Sequence, residues 1–313
     1  MDKMTDESSP VDAAPLGSGR LGYKSPITPV ILLIAAMIGI GALLYSSAAD
    51  WFATLGHSAE ISTHVRSVDQ MPSDERTDRM RAAEDYNSDL PEGVLRDPYT
   101  AQTHLDNDPD YRAYLAALSS DSGVIGDVNY PRLDIALPIY AGTDDRNLRK
   151  GAGHLYGSSL PVGGPSTHAV LTSHSGLLNA SLFTDLPKAK IGDTFAVTVL
   201  GEARHYEVRA IETVLPEHTQ SLAISAGQDR VTLITCTPIG VNSHRLLVHA
   251  ERIDAPIVTD GTASRRADRS AGFPWWALAF TGGTAAAAFV IFKPLTQRRA
   301  AGHRSRNTWE ERR

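Results

Sequence analysis

The chain predicts a mainly β domain, closed or nearly closed into a barrel, carried between two membrane-spanning helices. Three observations carry that prediction. Two uncharged apolar stretches, 23 residues over 27–49 and 20 over 273–292, are each long enough to cross a hydrocarbon core, which takes ~17 to 25 residues. Between them, short segments of period-two alternation recur at regular spacing with few helical runs. That pattern favours a barrel over alternating strands and helices, and no internal repeat interrupts it.

Residues 1–25 are polar, rich in Pro, Ser, Gly and Asp, and read as a disordered cytoplasmic lead. The first transmembrane helix occupies 26–50, with Trp51 and Phe52 where interfacial aromatics belong. The alternative for this stretch is a signal peptide cut at Ser46-Ser47-Ala48, although the polar region before it is long and the apolar run exceeds the usual ~7 to 15 residues. Residues 51–120 form a membrane-proximal helical region. Its charged part, 68–90, is broken at Pro72, and a short helix over 78–86 without a wide apolar stripe is expected to lie on the domain rather than inside it. Asp108-Pro109-Asp110 reads as an N-cap with proline at the first helical position. Tyr111, Tyr114, Leu115 and Leu118 then repeat at helical spacing, which predicts a helix over 109–119.

The period then changes. Leu133, Ile135, Leu137 and Ile139 alternate as a strand with one buried face, and further strands are expected at 169–172, 194–200, 205–214, 231–235 and 245–251. Gly201-Glu202 marks a hairpin. The barrel is placed at 121–254, a Thr, Ser, Gly and Asp-rich linker at 255–272, the second span at 273–292 and a basic tail at 293–313. That tail holds seven basic residues against two acidic ones, so it should stay in the cytoplasm; Arg20 and Lys24 agree, and Arg265, Arg266 and Arg269 are outnumbered. Two spans then leave 50–272 outside the cell as one domain.

Composition narrows the function. One cysteine excludes an internal disulfide, and an outer segment of 223 residues is large enough to do without one, which suits a Gram-positive surface. The net charge of −6 offers no nucleic-acid footprint. No His, Asp and Glu cluster has the tight local spacing of a metal site, so neither metal nor cofactor is expected.

The cysteine, Cys236, closes the apolar run Val231-Thr232-Leu233-Ile234-Thr235 and is followed by the turn-like Thr237-Pro238-Ile239-Gly240. A small buried hydrophobe is the plain reading of a lone thiol. Its setting argues for a nucleophile instead. If the strands ending at Cys236 and opening at Arg245 are antiparallel neighbours, the two side chains face each other at one rim, and the guanidinium is a fixed cation for a thiolate or oxyanion. A thiol of pKa ~8.5 needs such help. Among eleven histidines, His174 is the best base or acid, because it follows the strand Ala169-Val170-Leu171-Thr172 and precedes Gly176. His168 and His244 come next, and His244 would point to the face opposite Arg245.

These residues resemble the sortases. Thr232-Leu233-Ile234-Thr235-Cys236 matches the family's TLxTC signature, Arg245 follows at the usual short distance, and His174 lies upstream. The likeness runs over about 123–252 and includes Leu137-Pro138-Ile139-Tyr140, Lys150-Gly151-Ala152-Gly153-His154-Leu155 and Leu182-Phe183-Thr184-Asp185-Leu186. It is most similar to the class C, pilin-polymerising group, which carries hydrophobic spans at both ends. That group has a lid bearing Asp-Pro-aromatic before the barrel, and Asp97-Pro98-Tyr99 fits it, with Tyr in place of the commoner Trp or Phe. Ser173 and Ser175 flank His174 where Gly and Arg are common, and Ile239 stands where an aromatic is usual.

The resemblance implies a sortase-like closed β-barrel with catalytic His174, Cys236 and Arg245 and lid residues Asp97 and Tyr99. It implies a cysteine transpeptidase that cleaves an LPxTG-like sorting signal through a thioacyl intermediate and joins pilins by Lys isopeptide bonds. The alternatives are a sortase that anchors surface proteins singly to the cell-wall precursor, and a non-enzymatic membrane-anchored scaffold. The implied partners are proteins bearing the sorting signal and the lipid bilayer.

Overall fold

The computed structural model describes residues 27–90, 95, 97–99, 109–118, 123–254 and 271–293. The expected N-terminal lead, the Asp108 cap, the linker over 255–270 and the tail beyond Lys293 lie outside the described residues. The chain divides into two units, one over Met1–Gly41 and Phe280–Arg313 and the other over Ala42–Ala279.

Helices α1 (Ile27–Gln70) and α5 (Trp275–Phe292) are both long and apolar enough to cross a membrane. α1 runs well past the apolar stretch, because nothing after Ala49 breaks it until Met71-Pro72. Its later turns belong to the second unit and are fastened to the barrel there. Asp50 Oδ1 accepts from the Ser181 amide at 2.6 Å, and the Glu60 carboxylate accepts from the Tyr140 hydroxyl.

α2 (Ser73–Ser88) is longer than the expected 78–86, yet it buries only Ala83 fully, so it lies on the domain as its charged sequence requires. Asn87 pins it there. The Asn87 side chain donates to Leu160 O at 3.1 Å and accepts from Leu160 N at 2.7 Å. α3 (Pro109–Leu118) buries Tyr114 and Leu118, two of the periodic residues.

Eight strands close a barrel in the order β1-β2-β3-β4-β7-β8-β6-β5. β2 (Ile135–Ala141), β4 (Thr167–Thr172), β5 (Thr194–Val199), β6 (Glu202–Val214), β7 (Asp229–Thr237) and β8 (His244–Ile253) fall where alternation places strands. β5 and β6 form the expected hairpin, turning through Leu200 and Gly201, both at positive φ. Two strands are additional. In β1 (Val124–Tyr130) the register shifts at Gly126, where a Cβ would sit 2.3 Å from the Thr198 carbonyl oxygen. That bulge breaks the period-two pattern. β3 (Ala152–His154) is three residues long, too short to alternate, and is joined to β2 through the short helix α4 (Asp145–Lys150). Phe183, Phe195, Tyr206, Leu171 and Leu233 are among the side chains filling the interior. The opposite face of β4, β7 and β8 carries a smaller cluster, Val170, Ile234 and Leu247 with Leu155 and Leu222.

Candidate active site

The parallel pairing of β4 with β7 and the antiparallel pairing of β7 with β8 set the site. Thr172 on β4 stands beside Ile234, and Cys236 on β7 stands opposite Arg245 on β8. The strand ends therefore deliver His174, Cys236 and Arg245 to one rim of the barrel. The two serines around His174 fix that junction. Ser173 donates its amide to Ile234 O and its hydroxyl to Gly151 O, while its carbonyl accepts from the Thr235 hydroxyl. Ser175 donates its hydroxyl to the Cys236 carbonyl at 2.8 Å. Gly176 then turns at φ +73°, and a Cβ there would lie 2.3 Å from Ile239 Cγ2. The loop after His174 thus packs directly on the loop after Cys236, which leaves no room for a side chain.

Asp97-Pro98-Tyr99 covers this rim. Arg245 donates from Nε and Nη2 to the two carboxylate oxygens of Asp97, at 2.7 and 2.9 Å, a bidentate pair with both partners largely buried. The Arg245 guanidinium carbon lies 4.9 Å from the Tyr99 ring centre, and the same ring is 5.8 Å from the His174 imidazole. Tyr99 donates its hydroxyl to Ser173 O at 2.6 Å. Its phenol is pushed far up by burial, so it stays a donor. The ring rests on the Val170, Ile234 and Leu247 cluster.

The Cys236 thiol is buried, and burial raises its pKa above the ordinary value. The Arg245 cation opposes that rise, and the Asp97 carboxylate adds to it. With Asp97 and Tyr99 over the rim, the surroundings thus disfavour the thiolate.

Below the rim, on the Cys236 face of β7, Thr232 Oγ1 lies 2.6 Å from His168 Nε2 and 2.7 Å from His249 Nδ1, and His249 Nε2 is 3.0 Å from Glu212 Oε1. Burial lowers His168 to about 4. This second-choice histidine thus belongs to a buried polar chain that ties β4 to β7 and β8. His244 pairs at the surface with the hydroxyl of Ser243.

Two contributions were not legible in the sequence. His174 Nε2 is 3.2 Å from Asp145 Oδ1, a carboxylate on α4 nowhere singled out by motif. The tie from Ser175 to the Cys236 carbonyl also went unforeseen, although Asp144-Asp145-Arg146-Asn147 does carry a readable helix-capping pattern. Among the described residues no group of three or more His, Cys, Asp and Glu could hold a metal ion.

Residues 128–253 match the family description "Sortase domain". Sortase C-1 from Actinomyces oris is 48% identical and superposes with a TM-score of 0.56, covering 58% of this chain and 99% of that one. Streptococcus pneumoniae sortase C is 41% identical, with a TM-score of 0.57 over 64% of this chain and 100% of that one. The chain belongs to the sortase family, and these structural neighbours are class C sortases. It is also similar to sortase A of Streptococcus agalactiae, 34% identical over 131 residues that make up 41% of this chain and 52% of the relative. The chain thus spans about half the length of that curated relative.

Proposed function

We propose that this sortase is a membrane-anchored cysteine transpeptidase that cuts LPxTG-like sorting signals and joins pilin subunits through Lys isopeptide bonds. The observation that carries the reading is Cys236 paired across β7 and β8 with Arg245, on a barrel whose neighbours are class C sortases. Support for the pilin acceptor comes from the Asp97 and Tyr99 cover over that pair, and from the pneumococcal neighbour, whose description concerns pilin substrate specificity. Both apolar helices would span the bilayer with the barrel outside, meeting donor and acceptor at the outer face.

In this mechanism the lid first leaves, because Asp97 occupies two of the guanidinium donors. The Cys236 thiol passes its proton to His174, the thiolate attacks the Thr carbonyl of the sorting signal, and Arg245 stabilises the oxyanion. His174 protonates the departing amine, which leaves a thioacyl enzyme. It then takes a proton from an incoming Lys amine as the amide bond forms, and passes it to the departing Cys236 sulfur, which regenerates the thiol. Incubation of the full chain with a sorting-signal donor and a Lys-bearing pilin acceptor should give laddered polymers. Cys236→Ala should abolish them with the fold intact. Polymers from that variant would end the nucleophile assignment, and a single product linked to cell-wall precursor would move the reading to wall anchoring.

A further inference from the structure

We propose that Asp145 is a positioning residue for His174: it holds Nε2 of the imidazole and leaves Nδ1 as the nitrogen that moves the proton. The inference rests on the role given to His174 above.

The hydrogen bond from His174 Nε2 to Asp145 Oδ1 spans 3.2 Å. The carboxylate divides its oxygens between two partners, since Oδ2 accepts from Arg149 Nε at 2.7 Å. Arg149 is the largest influence holding the Asp145 carboxyl below its ordinary pKa, and His174 adds to it. An ionised acceptor with one oxygen already committed presents the other in a restricted direction.

The platform beneath Asp145 is rigid for reasons written in α4. Asp144 caps the helix by accepting from the Asn147 amide at 3.0 Å, and the Asn147 side chain donates to Ala141 O at 2.8 Å. Leu148 is buried on the inner side of the same turn. α4 thus joins β2 to β3 through bonds that involve neither Asp97 nor Tyr99.

That independence gives the contact its consequence. With the lid segment down, the Tyr99 ring lies against the His174 imidazole. When substrate displaces the segment this packing goes, and the Asp145 bond remains to fix the ring. An imidazole held at Nε2–H has its lone pair on Nδ1, so proton traffic is confined to Nδ1. Because Asp145 is exposed and water screens the pair, the effect is modest, about three- to fivefold in turnover.

The test uses the full chain in detergent carrying Asp97→Ala to release the lid, with a sorting-signal peptide as donor. Adding Asp145→Ala is expected to lower kcat about three- to fivefold with KM unchanged. Asp145→Glu should recover part of the loss. Nitrogen NMR of His174 should show the Nε2–H tautomer in the parent and a mixture of tautomers in Asp145→Ala. An Asp145→Ala variant with parental kcat and parental tautomer population, beside an inactive His174→Ala control, overturns this proposal alone. An active His174→Ala control would instead remove the histidine assignment on which it stands.

Discussion

Cys236 can act as a nucleophile only as a thiolate, and its surroundings in the covered site work against that form. Burial comes first and the Asp97 carboxylate adds to it, while the Arg245 cation, which opposes both, is shared with Asp97 in a bidentate pair. Asp97→Ala removes one anion and frees one cation, so the thiol pKa should fall and alkylation of Cys236 by iodoacetamide should quicken several-fold near neutral pH. An unchanged alkylation rate would mean that Asp97 does not govern the thiol. At this scale the sequence was informative wherever side-chain order along one strand was enough. A lone Cys at a strand end and an Arg opening the next strand need only the period of two to face each other. Asp145 needed more, because it meets His174 across 29 positions through the turn of α4 between β2 and β3, which no local pattern announces.

Elements joined by buried histidines carry a pH dependence that the surface charges do not. His154 on β3 is locked between the Tyr114 hydroxyl and Ser159 O, and His168 on β4 between Ala223 O and Thr232. Burial lowers both from 6.5 to about 4, so both are neutral when folded. The unfolded chain takes up protons at a higher pH than the folded one. Their stabilising effect is complete above the ordinary pKa of 6.5 and is lost as pH falls towards about 4. Each contributes on the order of 2 kcal/mol of lost stability at about pH 5. The thermal midpoint of the full chain should drop clearly between about pH 7.5 and about pH 5, and equal midpoints would contradict the neutral assignment. Six strands were legible, some by alternation, as in β5, and others, such as β4 and β7, as short apolar runs buried on both faces. β1 was hidden by its bulge at Gly126, and β3 by its brevity. α1 outran its expectation because a membrane span has a length set by lipid, whereas a helix ends only at a breaker such as Pro72.

For the whole molecule, the proposed function makes one demand: a thiol that stays covered until substrate arrives. The barrel supplies three strand ends at a single rim, Asp97 and Tyr99 cover that rim, and two helices are long and apolar enough to cross a membrane. The closed order of eight strands was foreseeable as a barrel but not as this topology, since β4 beside β7 joins strands with β5 and β6 between them in sequence. The central claim is that the acyl group passes through the sulfur of Cys236. The direct measurement is the intact mass of the full chain, lid released by Asp97→Ala, after brief exposure to a sorting-signal peptide. The account predicts an added mass equal to the peptide through its Thr less one water, mapped to Cys236, released by hydroxylamine and missing from Cys236→Ala. Peptide cleavage that proceeds equally in Cys236→Ala, with no adduct on the sulfur, would contradict it.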